Sequence, residues 1–148
     1  YALASVDVPL KVKSIWYGRD VEHARELAKK LKLNIEFVEK VPHEQMNTLY
    51  WKSDVVLGSF GVGQLDTVTI EAMACGRPVV HYITKKFYPN CPLEQIVSVK
   101  ECVSLIEKFL VDKKAVQKRV QAQLMYVKSV HAAPVLANKL VEIYKKLS

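Results

Sequence analysis

The sequence predicts an α/β fold in which a mainly parallel, twisted sheet carries helices on both faces and is followed by a C-terminal helical segment. Up to about residue 83, short strand-like stretches alternate with helix-like stretches over short connections, as in βαβ units. Residues 54–58 and 77–83 are almost continuously apolar, as parallel strands buried on both faces are. Beyond residue 100 only helical periodicity remains. The length of 148 residues suits a single domain.

The first elements follow from hydrophobic spacing. Residues 11–17 alternate polar and apolar side chains up to Gly18, which predicts a strand. Asp20 is expected to cap the next helix, whose apolar side chains recur at helical spacing as Val21, Ala24, Leu27, Ala28 and Leu31. Residues 34–38 form a second short strand. Pro42 then opens a helix of about ten residues, with Met46, Leu49 and Tyr50 on one side.

The remaining elements begin with a third strand at residues 54–58. A helix follows over about residues 67–74, ended by Gly76, and a fourth strand spans residues 77–83. We predict strands 54–58 and 78–83 to be parallel neighbours at the centre of the sheet. Residues 95–99 are expected to add a short edge strand. Three helices complete the chain, marked by Val103, Ile106, Phe109 and Leu110, by Val116, Val120, Leu124 and Val127, and by Leu136, Leu140, Ile143, Tyr144 and Leu147.

Composition and charge narrow the possible functions. The net charge is +7, but no run reaches five like charges and the lysines are not interleaved with aromatic residues, so we expect no nucleic-acid partner. The basic side chains form either a solvated surface or a weak contact with anionic lipid, the latter centred on Lys113, Lys114, Lys118 and Arg119. No apolar run approaches the ~20 residues of a membrane helix. We expect a cytoplasmic protein, with peripheral contact at the inner membrane face as the alternative.

The three cysteines, Cys75, Cys91 and Cys102, are odd in number and form no CxxC pair. This pattern is typical of reduced thiols in a cytosolic protein, and it gives no zinc site. We expect the three side chains to be small buried hydrophobes.

The loop over residues 58–66, which follows the third strand, carries more features of a ligand site than the other predicted strand ends. Gly61 and Gly63 allow close backbone approach, and the following helix directs its free N–H groups and positive dipole end at the loop. The loop is therefore either a phosphate or diphosphate site or only a flexible turn. Asp66 is either the helix N-cap or a free carboxylate, and a free carboxylate would be unfavourable beside a diphosphate.

Glu71 lies one turn into that helix. From there its carboxylate can reach back towards the strand ends and accept hydrogen bonds from the two vicinal hydroxyls of a ribose. The alternative is a solvent-exposed helical glutamate without a ligand.

Residues 54–60, Asp-Val-Val-Leu-Gly-Ser-Phe, and 70–80, Ile-Glu-Ala-Met-Ala-Cys-Gly-Arg-Pro-Val-Val, resemble the donor-binding signature of GT-B glycosyltransferases, closest to the retaining family 4, also called group 1. The preceding residues 37–55 keep a Val-Pro, a Leu-Tyr and a Ser-Asp-Val in register with that family. Residues 137–144 resemble its last helix. The likeness spans roughly residues 10–148, and it implies a Rossmann-like domain.

The resemblance implies a nucleotide-sugar site. In it Glu71 holds the ribose hydroxyls, the loop amides of Leu65, Asp66, Thr67 and Val68 meet the diphosphate, and backbone near Lys40 and Val41 faces the base. It further implies transfer of a hexosyl group from a UDP-, GDP- or ADP-sugar to a glycan or lipid-linked acceptor, with retention of configuration and with no metal or other cofactor. No catalytic residue is assigned.

The chain also departs from the family pattern. Gly63 stands where the family usually has a second glutamate, which contacts the transferred sugar; Asp66 and Gln64 are nearby but out of register. The earlier strand and helix that grip the diphosphate, and the acceptor-binding N-terminal domain, have no counterpart here. Because the chain also lacks an initiator Met, we expect residues 1–148 to be the C-terminal half of a two-domain enzyme, inactive alone. The alternative is a non-catalytic interaction or regulatory module derived from a glycosyltransferase.

Overall fold

A computed structural model describes residues 1–147 and shows an α/β chain. Its strands and helices are β1 (Val12–Ile15), α1 (Val21–Lys30), β2 (Ile35–Val38), α2 (Met46–Trp51), β3 (Val56–Leu57), α3 (Thr67–Ala74), β4 (Val79–Val80), α4 (Val99–Val111), α5 (Lys113–Val130) and α6 (Ala133–Leu147). Short 3₁₀ helices precede β1 and α2, at Ala2–Ser5 and His43–Gln45. The predicted α/β class and the C-terminal helical segment are confirmed.

The strands are parallel and form two pairs within residues 1–147. In the first pair Val12 of β1 faces Ile35 of β2, and in the second Val56 of β3 faces Val79 of β4. The predicted parallel pairing of the third and fourth strands is therefore confirmed, whereas their predicted place at the centre of one larger sheet is wrong, because β1–β2 and β3–β4 form separate two-stranded sheets. Their regular part is only two residues long in each case, although bonds from Val56 N–H to the Pro78 carbonyl and from Gly58 N–H to the Val80 carbonyl, both 3.0 Å, extend the contact.

The β3–β4 pair is covered by helices on both faces. On one face Val56 and Val79 belong to a buried cluster with Ala72 and Met73 of α3. On the opposite face Val80 belongs to a second cluster, with Cys102, Ile106 and Phe109 of α4. Successive side chains of a strand point to opposite faces, so one short apolar strand supplies both cores.

The β1–β2 pair is less completely covered. Lys13 and Glu36 face each other across the two strands and form an exposed ion pair at 3.0 Å. Charged side chains on this face favour contact with water over burial under a helix. The alternating pattern of residues 11–15 thus produces a strand pair with one solvated face.

The outer edge of β4 is closed by a side chain. Gln123 of α5 is fully buried, and in the orientation that satisfies both ends of its amide it donates to the Arg77 carbonyl (3.0 Å) and accepts from the Val79 N–H (3.2 Å). These two bonds replace those that a further strand would make.

Replacing Gln123 by alanine is expected to lower the free energy of unfolding by about 2 kcal/mol, because two backbone groups next to β4 lose their partners in a buried environment. The matched control is Gln121→Ala on the exposed side of the same helix, which should change stability by less than about 0.5 kcal/mol. Urea denaturation of the two variants measures the difference. Equal stability of the two variants would show that the amide does not support the edge of β4.

Two predictions about local structure were wrong, and a third was right except for its first turn. Residues 95–99 form no strand: Ser98 caps α4 by accepting a hydrogen bond from the Glu101 N–H at 3.2 Å, so the backbone turns into the helix. Asp20 occupies the N-cap position of α1 but makes no side-chain capping bond. The helix opened by Pro42 begins as a 3₁₀ turn and becomes α-helical only at Met46.

The end of α3 was predicted correctly. Gly76 adopts a left-handed φ of +69° directly after the last turn. Its N–H donates to the Met73 carbonyl (3.1 Å), and the Arg77 N–H donates to the Ala72 carbonyl (3.0 Å). This is a Schellman motif, which satisfies two otherwise unpaired helix carbonyls.

The C-terminal helices differ in how far they are buried. The predicted apolar residues Val103, Ile106 and Phe109 of α4 lie in the core. The apolar residues predicted for the last helix, including Leu136, Leu140 and Ile143, are instead exposed on α6. None of the three cysteines is in a disulfide; Cys91 and Cys102 are buried, and burial raises the pKa of each thiol.

One member of the predicted basic surface on α5 was assigned wrongly. Lys113, Lys114 and Lys118 are exposed, but the Arg119 guanidinium packs over the Phe109 ring and bonds to the Pro92 carbonyl and the Glu94 carboxylate. Arg119 therefore fixes the segment before α4 instead of facing solvent. In the part of the chain that the structure describes, no helix has the length and hydropathy needed to cross a membrane.

Candidate functional site

The 58–66 loop is tied to the residues that follow β4. The Tyr82 N–H donates to the Ser59 carbonyl (3.1 Å), and the Thr84 N–H donates to the Gly63 carbonyl (2.9 Å). These backbone bonds give the loop a defined conformation. These bonds favour a fixed loop over the flexible turn that the sequence also allowed.

Gly63 has a structural reason to be glycine. Its φ of +75° lies in the left-handed region, and an added Cβ would lie well inside contact distance of Thr84 Oγ1 and 3.0 Å from Tyr82 Cε1. Gly61, in contrast, has no positive φ. Among the described residues no atom lies close to where its Cβ would be, so the expected close approach to its backbone is not seen there.

His81 connects the loop to α3. Its buried ring places Nε2 2.8 Å from the Gln64 carbonyl and Nδ1 2.9 Å from the Thr69 hydroxyl. Because a carbonyl only accepts, Nε2 carries the hydrogen, and in the neutral ring Nδ1 accepts from Thr69. The end of the loop and the first turn of α3 are thus fixed by one side chain.

Asp66 is the N-cap of α3, as one of the two sequence interpretations expected. Its Oδ1 accepts a hydrogen bond from the Thr69 N–H at 2.7 Å, and its Oδ2 lies 3.8 Å from His81 Nδ1. The four preceding N–H groups, those of Leu65, Asp66, Thr67 and Val68, donate no hydrogen bond to any group in residues 1–147. These donors, next to the positive end of a helix dipole, are suited to bind an anion.

Glu71 lies one turn into α3, and its carboxylate is held on two sides. Its Oε2 accepts a hydrogen bond from the Tyr50 hydroxyl at 2.9 Å, and its Oε1 lies 3.5 Å from His43 Nδ1. The Glu71 side chain is 25% exposed, whereas that of His43 is 77% exposed. Glu71 is therefore not the fully exposed helical glutamate of the alternative interpretation, and one of its oxygens faces an open surface.

The Tyr50 hydroxyl remains a hydrogen-bond donor across the ordinary pH range. Burial, together with the hydrogen bond to the Glu71 carboxylate, raises its pKa well above the ordinary value for tyrosine. The Cys75 thiol also lies near this carboxylate, and burial followed by the charge of Glu71 raises its pKa as well.

The segment over residues 40–43 runs from the end of β2 to Glu71. The Lys40 ammonium lies 4.9 Å from the centre of the exposed Tyr17 ring, Val41 is half-buried, and His43 reaches Glu71. His43 follows the predicted base-facing residues Lys40 and Val41 within three positions, and its side chain contacts the predicted ribose carboxylate. Tyr17 lies at the carboxyl end of β1, where parallel strands usually bind ligands.

The predicted residues fall into two groups on α3: the loop amides and Asp66 at its start, and Glu71 one turn further, which the 40–43 segment contacts through His43. Two cavities of about 710 and 790 Å³ are lined by neither Glu71, residues 63–68 nor residues 40–43, although Gly58 and Phe60 at the start of the 58–66 loop border the second. No group of three or more His, Cys, Asp or Glu side chains able to hold a metal comes together in residues 1–147.

The sequence pattern indicated no role in the site for Tyr50, His43 or His81. Tyr50 had been interpreted as part of the apolar side of a helix, and its polar tip was the only signal that it needs a partner. His43 lies directly after Pro42 and His81 lies within a strand-like run, and neither position has a spacing typical of a site.

Replacing Asp66 by alanine is expected to reduce stability by about 1 kcal/mol, because α3 loses its capping bond. Asp66→Asn keeps an acceptor oxygen and should remain within about 0.5 kcal/mol of wild type. If Asp66 acts only as a cap, the asparagine variant will also bind a nucleoside diphosphate at least as tightly as wild type, since a negative charge beside the free amides is removed. Weaker binding by this variant would instead make Asp66 a ligand-binding residue.

Comparisons with known proteins agree with these observations. The family model described as "Glycosyl transferases group 1" matches residues 2–88. Sucrose-phosphate synthase from Thermosynechococcus elongatus has a similar structure, with a TM-score of 0.79 and 18% sequence identity over 99% of this chain. The chain spans 41% of that protein's chain, and at this identity the likeness supports the fold alone. No curated protein matches the sequence.

Proposed function

Because the chain belongs to the group 1 glycosyl transferase family, we propose that it is the domain that binds the sugar donor, a nucleotide-diphosphate sugar. The family match and the GT-B fold show that the chain is a glycosyltransferase domain. The proposal adds that the whole protein transfers a hexosyl group to a glycan or lipid-linked acceptor with retention of configuration. A second domain, outside residues 1–148, would supply the acceptor site.

The observation that carries this proposal is the arrangement at the start of α3. Four neighbouring N–H groups that have no hydrogen-bond acceptor among residues 1–147 precede a carboxylate that lies one helical turn further along and is partly open to solvent. A nucleotide sugar offers the matching groups, a diphosphate and a ribose with two vicinal hydroxyls. The amides and the helix dipole would stabilise the diphosphate, and Glu71 would accept hydrogen bonds from the ribose.

This arrangement also suits the bond that must break. Transfer leaves negative charge on the nucleoside diphosphate, and fixed N–H donors stabilise such charge without reorganising during the reaction. We propose that the amides of residues 65–68 perform this role without a metal ion. The base would lie beyond Glu71, near Lys40 and Val41, where the exposed Tyr17 ring offers a stacking surface.

One observation favours a second candidate function, a non-catalytic module derived from a glycosyltransferase. Gly63 occupies the position of the family's usual second glutamate, and its left-handed φ together with the nearby Thr84 side chain leaves no room for a longer residue. Such a module could still bind a nucleotide sugar but would not transfer the sugar.

The proposal is tested by thermal denaturation with UDP-, GDP- and ADP-glucose. A ligand at 100 times its Kd stabilises the native state by about 2.7 kcal/mol, so one nucleotide class should raise Tm by several degrees. A donor-hydrolysis assay on the full-length protein then separates the two candidates: the enzyme releases nucleoside diphosphate, and the module binds without release. No stabilisation by any of the three would contradict the donor-binding proposal.

Localisation and acceptor remain proposals. We propose a cytoplasmic protein in which Lys113, Lys114 and Lys118, all exposed on α5, favour peripheral contact with an anionic leaflet. Arg119 is no part of this surface, since its charge is paired with Glu94. Such a contact would bring the domain close to a lipid-linked acceptor.

A further inference from the structure

Tyr50 combines a buried ring with a hydroxyl that points at Glu71. The side chain is 5% exposed and packs in the cluster that contains Val56, Met73 and Val79. Its hydroxyl lies 2.9 Å from Glu71 Oε2, across 21 residues of sequence. A carboxylate only accepts, so Tyr50 is the donor. The ring is fixed by its packing, and the direction of the hydrogen bond is therefore fixed as well.

This bond limits the positions that the Glu71 carboxylate can take. A glutamate side chain has three rotatable torsions, and a partly exposed one ordinarily samples several rotamers. Here Oε2 is held from the buried side, which leaves Oε1 facing the exposed His43 and the open surface. A ligand that binds to Oε1 then meets a carboxylate that is already oriented, and less side-chain entropy is lost on binding.

We propose that Tyr50 is a positioning residue, whose hydroxyl orients the Glu71 carboxylate towards the ribose hydroxyls of the nucleotide. The inference rests on the proposed donor site. Tyr50 itself touches no ligand in this account; it acts through Glu71, and Phe would preserve its packing while removing the oriented hydroxyl.

The test uses Tyr50→Phe, with Tyr126→Phe as the matched control. Tyr126 is a half-buried tyrosine on α5 whose ring packs edge-on against His131 and whose hydroxyl donates no hydrogen bond to Glu71 within residues 1–147. The probe is whichever of UDP, GDP and ADP binds wild type most tightly, measured by calorimetric titration together with its 2′,3′-dideoxy analogue. Tm values of both variants monitor the folded state.

Tyr50→Phe is expected to weaken binding of the ribonucleotide three- to tenfold and to leave binding of the dideoxy analogue within twofold of wild type. In a Glu71→Ala background the same change should alter ribonucleotide affinity by less than twofold, because its effect passes through Glu71. Tyr126→Phe should bind both probes as wild type does.

Three results would overturn the positioning role. Ribonucleotide affinity could be unchanged by Tyr50→Phe, equal losses could appear for the ribose and dideoxy probes, or the loss could persist in the Glu71→Ala background. Each would mean that the hydroxyl does not act through Glu71 on the ribose. Failure of wild type to bind any of the three nucleotides would instead remove the proposed donor site, and the positioning role with it.

Discussion

Glu71→Ala is expected to weaken binding of the preferred nucleotide sugar about 10- to 100-fold. The change removes a carboxylate that would accept two ribose hydrogen bonds, and charge-assisted bonds contribute about 1–3 kcal/mol. Calorimetric titration of wild type and variant measures the loss. In Glu71→Ala the buried Tyr50 hydroxyl also loses its acceptor. Glu71→Gln keeps an oxygen for Tyr50, so it separates the effect of the lost charge from the effect of the unpaired hydroxyl.

The control for this prediction is Glu26→Ala on the exposed surface of α1, which removes one negative charge away from the 58–66 loop. Its affinity should match wild type within about twofold, as for an exposed charge without a specific contact. If Glu71→Ala binds as tightly as Glu26→Ala, Glu71 does not belong to the binding site.

The second large effect is expected from Gly63→Glu, which introduces the residue usual in the family. A residue other than glycine in the left-handed region costs about 1–2 kcal/mol. Forcing side-chain atoms against Thr84 and Tyr82 adds about 1–3 kcal/mol. We therefore expect a loss of about 2–5 kcal/mol in the free energy of unfolding, measured by urea denaturation, and no gain of transferase activity.

Gly61→Ala is the matched control, because Gly61 lies in the same loop with open space around its Cα and no positive φ. Its stability should stay within about 0.5 kcal/mol of wild type. A Gly63→Glu variant as stable as Gly61→Ala would show that the loop rearranges freely. The loop geometry would then not explain why position 63 is glycine.

The central part of the fold could be predicted because hydrophobic pattern alone determines it. Residues 54–58 and 77–83 are apolar on both faces, so they had to lie between helices, and β3 and β4 do. The end of α3 at Gly76 was equally clear, since the left-handed turn requires a residue without a Cβ.

Other elements depended on contacts that no local pattern records. Residues 95–99 have the composition of a strand, but the Ser98 cap and the Arg119 contacts to Pro92 and Glu94 direct this segment into α4. The edge of β4 is closed by Gln123, a polar residue 44 positions after Val79 that appears in its own helix as part of the surface. Tertiary hydrogen bonds decided both cases.

The sequence predicted the residues of the candidate site that lie on α3, but not the side chains that contact them. Asp66 and the helix after it follow from capping preferences, and Glu71 follows from its place one turn into α3. The side chains around Glu71 could not be predicted, because Tyr50 and His43 reach it from a different helix and a 3₁₀ turn. Gly63 is the most informative position: where the resemblance implies a glutamate, the left-handed φ and the close Thr84 and Tyr82 side chains favour glycine.

The most direct measurement is a titration of ¹⁵N-labelled protein with UDP-, GDP- and ADP-glucose, followed through backbone amide shifts. For at least one of the three, we predict saturable shifts that are largest at the amides of residues 65–68, which have no acceptor among residues 1–147, present at residues 40–43 and Glu71, and negligible along α6. Amides 65–68 that remain unshifted by all three donors, or shifts confined to another surface, would contradict the proposal that the start of α3 is a nucleotide-sugar site.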